Sequence, residues 1–268
     1  MKLYINFKLN YQLKNNIAFI WDLKKSNFKI VNKIKCIDLS LLIGIEKQKK
    51  TIFNNTLNFV KGNYTNNVLL WGARGNGKST LIKSTFNEIS NNHKNLRLIQ
   101  LNKNDITDIE KIYSLLEKYN KYRFIIFIDD LSFEKIDSNY KIVKSVLDGS
   151  IQYQPNNIIL YVTSNRRHLM PRDMIDNERS SAIHTDENAE EKISLSDRFG
   201  IWLGFHALSQ DEYLSIIENY CNYYHINITE KDLKESIQWS LQRGNRTGRT
   251  AYQFIVQLAA TKDLKIKF

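Results

Sequence analysis

The chain has 268 residues, 42% hydrophobic and 25% charged, enough to bury a full core and to form one domain plus a smaller appendage. No apolar run approaches the roughly 18 residues of a membrane helix, and the N-terminus lacks the unbroken run of a signal peptide. Its two cysteines, Cys36 and Cys221, have neither metal nor disulfide spacing, which points to reduced thiols in a cytoplasmic protein.

The net charge of +11 is uneven: residues 1–100 hold 17 Lys and Arg against 4 Asp and Glu. A basic face of this kind attracts nucleic acid or anionic lipid. The lysines are scattered, however, with no basic run or recognition-helix pattern, as on a solvated surface. Lysine is the default cation here, 28 against 11 arginines, so the positions that carry arginine are informative. Most of them fall at Arg74, in residues 166–198 and in residues 243–249, which suggests a use there for a planar forked guanidinium that an ammonium lacks.

In chain order, LYINFKLNYQL over residues 3–13 puts apolar residues at every odd position, a period of two that predicts a half-buried strand. IAFIWDL, after Lys14-Asn15-Asn16, reads as its hairpin partner, so residues 1–40 form a β-rich N-terminal extension. From about residue 41 the pattern alternates. Strands are predicted at 68–72, 96–101, 122–129, 157–163 and 201–206, apolar over most of their length like strands buried on both faces. Helices are predicted near 45–61, 78–91, 107–120 and 138–149. Together they make a three-layer α/β domain with a mostly parallel sheet over 41–208. Residues 172–192 are polar and acidic and read as a long surface loop. Helical patterns near 209–222, 229–242 and 248–261 give a small helical domain over 209–268.

The stretch VLLWGARGNGKST carries the chemistry. Gly72-Ala73-Arg74-Gly75-Asn76-Gly77-Lys78-Ser79 matches G-x-x-x-x-G-K-[ST] between an apolar strand and a helix. Glycines let successive backbone N–H groups point at phosphate oxygens, and the helix N-terminus adds partial positive charge. Lys78 is placed to reach the β- and γ-phosphates, Ser79 to ligate Mg²⁺, and Thr80 to lie beside the α-phosphate. The pattern predicts that this loop binds the phosphates of a nucleoside triphosphate.

RFIIFIDD ends a strand in two acids. Asp129 is the candidate Mg²⁺-shell residue and Asp130 the candidate base for the attacking water, with Glu134 as the second candidate base. The next strand ends in Thr-Ser-Asn165, where Asn165 either aligns the water or caps the following segment. Arg198 precedes the last strand. Arg249 falls in the first turn of the final helix, where a cation opposes the helix dipole unless an anion faces it. Arg246 is the alternative to it.

Taken together, these elements resemble the AAA+ ATPases. LSLLIGIEKQKK is similar to the segment before that domain, whose backbone at Ile43 and Gly44 would meet the adenine. GARGNGKS resembles Walker A, FIIFIDD Walker B, VTSN sensor 1, SDRFG the arginine-finger box and GRTAYQF sensor 2. The resemblance spans about residues 41–262. More narrowly, LLIGIEKQK, FIDDLSFE, TSNRRHL, EEKISLSDRFG and RTGRTAYQF are similar to the bacterial AAA+ family labelled domain of unknown function 815, from near Trp21 onward, with residues 1–17 outside it.

The resemblance implies a sheet of order 5-1-4-3-2, ATP and Mg²⁺ between the α/β domain and a helical lid, and an ATP-dependent homo-oligomer. In that oligomer Arg198 would act on a neighbour's nucleotide to move a macromolecular client, protein or nucleic acid. Asp130 stands where most AAA+ members carry Glu, which implies slow turnover. The alternative is an ATP-switched nucleic-acid-binding protein resembling replication initiators or helicase loaders. A small-molecule phosphotransferase fits less well, because it has no use for Asn165, Arg198 and a separate helical domain.

Overall fold

Five apolar runs alternating with amphipathic segments build the centre of a seven-stranded sheet in a computed structural model of the chain, which describes residues 2–133, 138–148, 154–169 and 195–266. The strands are β1 (Ala18–Asp22), β2 (Asn27–Ile30), β3 (Val68–Gly72), β4 (Leu96–Leu101), β5 (Arg123–Ile128), β6 (Ile158–Ser164) and β7 (Ile201–Phe205). Their spatial order is β2-β1-β4-β5-β6-β3-β7, and only the β1–β2 pair is antiparallel. Counted from the phosphate-loop strand β3, the last five are in the order 5-1-4-3-2, as the resemblance implied. The hairpin β1–β2 then widens the sheet beyond β4, with Ala18 in parallel register to Leu98.

Helices cover both faces because the central strands are apolar on both. Phe124, Ile126 and Ile128 of β5 face one way, into a core with α1 (Lys2–Asn15), α4 (Ile109–Leu116) and α5 (Ser138–Asp148). Ile125 and Phe127 face the other way, against α2 (Glu46–Val60) and α3 (Lys78–Asn92). A third apolar cluster lies apart, where Tyr213, Ile217 and Tyr220 of α6 (Gln210–Tyr223) meet Phe254, Ile255 and Leu258 of α8 (Gly248–Thr261). Leu233 and Trp239 of α7 (Glu230–Gln242) pack against it. Each of α6, α7 and α8 starts with a reciprocal capping box, at Ser209–Glu212, Thr229–Asp232 and Thr247–Thr250.

One predicted strand is a helix. Residues 3–13 lie inside α1, where Leu9 and Leu13, four residues apart, are both buried against the sheet. The alternation contained this helical pair, so a period of two did not decide between the two structures. The edge of β1 is instead taken by the downstream strand β2, through a tight turn in which Ser26 has φ +45° and its N–H donates to Leu23 O at 3.2 Å. The hairpin is real, but its second strand follows IAFIWDL rather than preceding it. The predicted surface loop over 172–192 and the candidate Glu134 lie outside the described residues. Among the described residues, no helix is long and apolar enough to cross a membrane.

Candidate functional site

The loop joining β3 to α3 is built by backbone that only glycine adopts freely. Gly75 has φ +83° and Gly77 has φ +89°. Gly77 starts α3 in the left-handed region with no side-chain cap, so the first-turn N–H groups are left for whatever fills the space before them. That space is a cavity of about 860 Å³. It lies between the C-terminal ends of the strands and the α6–α8 cluster, as both groups contribute to its walls.

Lys78 sits at its floor, 6% exposed. Its Nζ donates to Gly72 O at 2.7 Å, Ala73 O at 2.8 Å and Asn165 Oδ1 at 3.2 Å. Desolvation pushes this ammonium down to about 8; Asp130 and Asp129 work against the shift, while Arg249 and Arg74 add to it. Three cations thus converge on the cavity with two carboxylates opposite. Ser79 Oγ donates to Asp129 Oδ1 at 2.5 Å, and Thr163 Oγ1 donates to the same oxygen at 2.6 Å. Thr163 Oγ1 also accepts from Asp130 N at 2.9 Å, fixing the backbone between the two acids.

Asp130 has φ +55°, in the left-handed region that few non-glycine residues enter, though aspartate does so more readily than most. Its Oδ1 accepts a short hydrogen bond from Asn165 Nδ2, and its Oδ2 faces an Arg74 guanidinium nitrogen at 3.7 Å. Asn165 therefore touches both Lys78 and Asp130. On the opposite wall, Arg249 lies in the first turn of α8, and its N–H donates to Gly75 O at 3.1 Å. Asn76 ties the loop to the end of β7, its Nδ2 donating to His206 O at 2.6 Å.

The sequence-derived residues are mostly together. Ile43, Gly44, Arg74 through Thr80, Asp129, Asp130, Asn165 and Arg249 all line the cavity. Gly72 and Ala73 lie behind it, presenting only carbonyls to Lys78. Of the two lid arginines, Arg249 lines the cavity; Arg246 does not and points at Gln210 Oε1, 3.4 Å away. Arg198, in the turn before β7, is not among the lining residues of its own chain. The sequence missed Thr163, although its hydroxyl stands two residues before Asn165 in the same strand end. It also missed Tyr220 and Tyr252, which close the far end near Ile43 and Gly44. Their rings meet edge to face, 6.2 Å between centroids, and no local pattern marks a tyrosine as cavity-facing rather than core.

Comparison with known proteins agrees with this architecture. The family described as Protein of unknown function (DUF815) matches residues 14–262, beginning somewhat before Trp21. No curated protein matches the sequence. Among solved structures, the RuvB Holliday junction branch migration motor of Thermotoga maritima superimposes with a TM-score of 0.55 at 20% identity, over 85% of this chain and 66% of that one. This chain therefore spans just under two thirds of RuvB. Domain III of the Thermotoga maritima replication initiation protein DnaA gives 0.51 at 16% identity, over 85% and 90%. A chain of the E. coli MS115-1 HORMA:CdnC:Trip13 complex gives 0.51 at 11%, over 75% of each. At these identities the likeness is one of fold, the AAA+ fold.

Proposed function

The chain belongs to the family described as Protein of unknown function (DUF815), and from its AAA+ fold and cavity we propose that it binds ATP with Mg²⁺ and slowly hydrolyses it. The observation that carries the reading is the meeting of Lys78, Arg74 and Arg249 with Asp129 and Asp130 around uncapped helix amides, an arrangement short of one polyanion. A triphosphate supplies it. The α3 amides, Lys78 and Arg249 would grip the phosphates, and Ile43 and Gly44 would receive the adenine.

The residues present also fit Mg²⁺. The Ser79 hydroxyl and the Asp129 carboxylate are hard oxygen donors already drawn together, with Thr163 orienting the carboxylate. Bound there, the metal would neutralise charge on the phosphate oxygens. Asp130, oriented by Asn165, takes the proton of the attacking water. Its carboxylate is one methylene shorter than that of a glutamate, which supports slow turnover.

Arg198 does not reach its own cavity, which supports a role on a neighbouring chain's nucleotide in an ATP-dependent homo-oligomer. The energy would go into remodelling or binding a macromolecular client. The free thiols of Cys36 and Cys221 suit the cytoplasm. A second reading, an ATP-switched nucleic-acid-binding protein, is favoured by the net charge of +11 and by a fold shared with a branch migration motor and a replication initiation protein. Salt-dependent filter binding to DNA and RNA separates it from the first; a flat background response rejects it.

The direct test of ATP binding is Lys78→Ala. We expect loss of detectable ATP binding in the presence of Mg²⁺ and no turnover, with the fold intact by circular dichroism. Wild-type turnover in this variant would remove the loop as the site.

A further inference from the structure

Arg74 stands two residues beyond Gly72 and reaches across the mouth of the cavity to the candidate base. Asp130 has both carboxylate oxygens engaged: Asn165 Nδ2 holds Oδ1, and Arg74 faces Oδ2 at 3.7 Å. The two contacts differ in kind. The Asn165 bond belongs to a chain of fixed groups, since Asn165 Oδ1 is itself held by the nearly buried Lys78. The Arg74 contact is long and single-pointed, between side chains 76% and 54% exposed, so water already screens it and little is lost when it breaks.

Arg74 also lines the cavity with Lys78 and Arg249. A guanidinium there has two possible anionic partners, the Asp130 carboxylate and a terminal phosphate, and its planar fork matches phosphate oxygens with stronger, charge-assisted bonds. Because this loop is otherwise in a lysine-rich chain, an arginine at this position is not the default cation.

We infer that Arg74 is a counter-ion exchanged between Asp130 and the γ-phosphate of the nucleotide, so that a triphosphate, but not a diphosphate, releases Asp130 Oδ2. The inference rests on the ATPase reading above and adds a means by which one chain distinguishes ATP from ADP. With no γ-phosphate in reach, Arg74 stays opposite Asp130 Oδ2, the oxygen that Asn165 does not hold. With one in reach, the guanidinium moves to it, Asn165 keeps Oδ1 in place, and Oδ2 is left open to water. Arg74 is then a phosphate-contacting residue of the same chain, distinct from Arg198 acting across chains.

The test is the ATP and ADP affinity of the full chain with Mg²⁺, measured by titration calorimetry for wild type, Arg74→Ala and Arg74→Lys. Loss of one charge-assisted phosphate contact is expected to weaken ATP about tenfold and ADP less than about twofold, so the ATP-to-ADP preference falls about tenfold. Lys should restore part of it, as a point charge without the fork. Retained ADP binding shows that each variant is folded. An unchanged preference in Arg74→Ala, with wild type binding ATP, overturns the exchange and leaves the ATPase reading standing. Equal loss of both nucleotides in both variants overturns it in favour of a general loop role. Absence of ATP binding in the wild type overturns both readings.

Discussion

Gly72 shows how a motif residue can act away from the motif's ligand. In the sequence it is the first glycine of a phosphate loop, and its expected use is close approach to phosphate. In the structure it has φ +131°, and a Cβ there would lie 2.0 Å from the Phe205 carbonyl oxygen of the neighbouring strand β7. The crowding is with the sheet. Gly72→Ala is therefore expected to destabilise the fold by roughly 2–4 kcal/mol, seen as a lower urea midpoint without nucleotide; an unmoved midpoint would mean that the strand pair shifts to accept the methyl group. Arg97 is a second case of a charge with a structural task. It is 3% exposed, with no carboxylate bonded to it among the described residues, donates to Leu13 O at the end of α1 and to Lys94 O and Leu96 O, and lies 4.5 Å from the Tyr122 ring centre. One of the positive charges of the basic first hundred residues thus caps a helix.

At the scale of elements, the predicted strands and helices from residue 46 onward fall within a few residues of the observed ones, because each is bounded by local chemistry. Capping boxes open three helices, glycine opens α3, and continuous apolar runs make the central strands. The N-terminal segment was the exception, since its alternation also holds the Leu9–Leu13 pair, and only the sheet face under α1 selects between them. The α7–α8 junction depends on a carboxylate. Burial alone would raise the Asp232 carboxyl, but hydrogen bonds from Lys262 Nζ at 2.9 Å and from Thr229 N and Oγ1 outweigh it and hold it below the ordinary value. A carboxyl lowered on folding adds stability that is complete above its unfolded pKa and is lost as pH falls through the folded one. Protection of α7 and α8 amides against hydrogen exchange is thus expected to drop below about pH 4. Asp232→Asn should cost about 1 kcal/mol at neutral pH and remove this part of the acid response. Equal acid loss in the variant would place the sensitivity elsewhere.

For the whole molecule, the cavity lies between two apolar clusters, on the sheet and among α6–α8, which Arg249 N to Gly75 O joins beside it, while Asn76 Nδ2 to His206 O holds the loop to the end of β7. On the proposed reading a second chain completes the site. Arg198→Ala is expected to bind ATP normally and to lose about 10³-fold in turnover per chain. Mixing it with Lys78→Ala should recover activity, because each mutant chain then supplies what the other lacks. Unchanged turnover in Arg198→Ala would argue against a finger, and a mixture that stays inactive would argue against action across chains.

The sequence by itself determined the strand–helix alternation, the phosphate loop and the acid pair at the end of β5, since periodicity, glycine conformation and capping act over a few neighbouring residues. Tertiary structure alone decided that residues 3–13 are helical, that Arg249 rather than Arg246 lines the cavity, and that Thr163 orients Asp129. It also decided that Arg74 meets Asp130. Those outcomes depend on groups as far apart as Asn76 and His206, 130 residues along the chain, being brought within hydrogen-bond reach by packing.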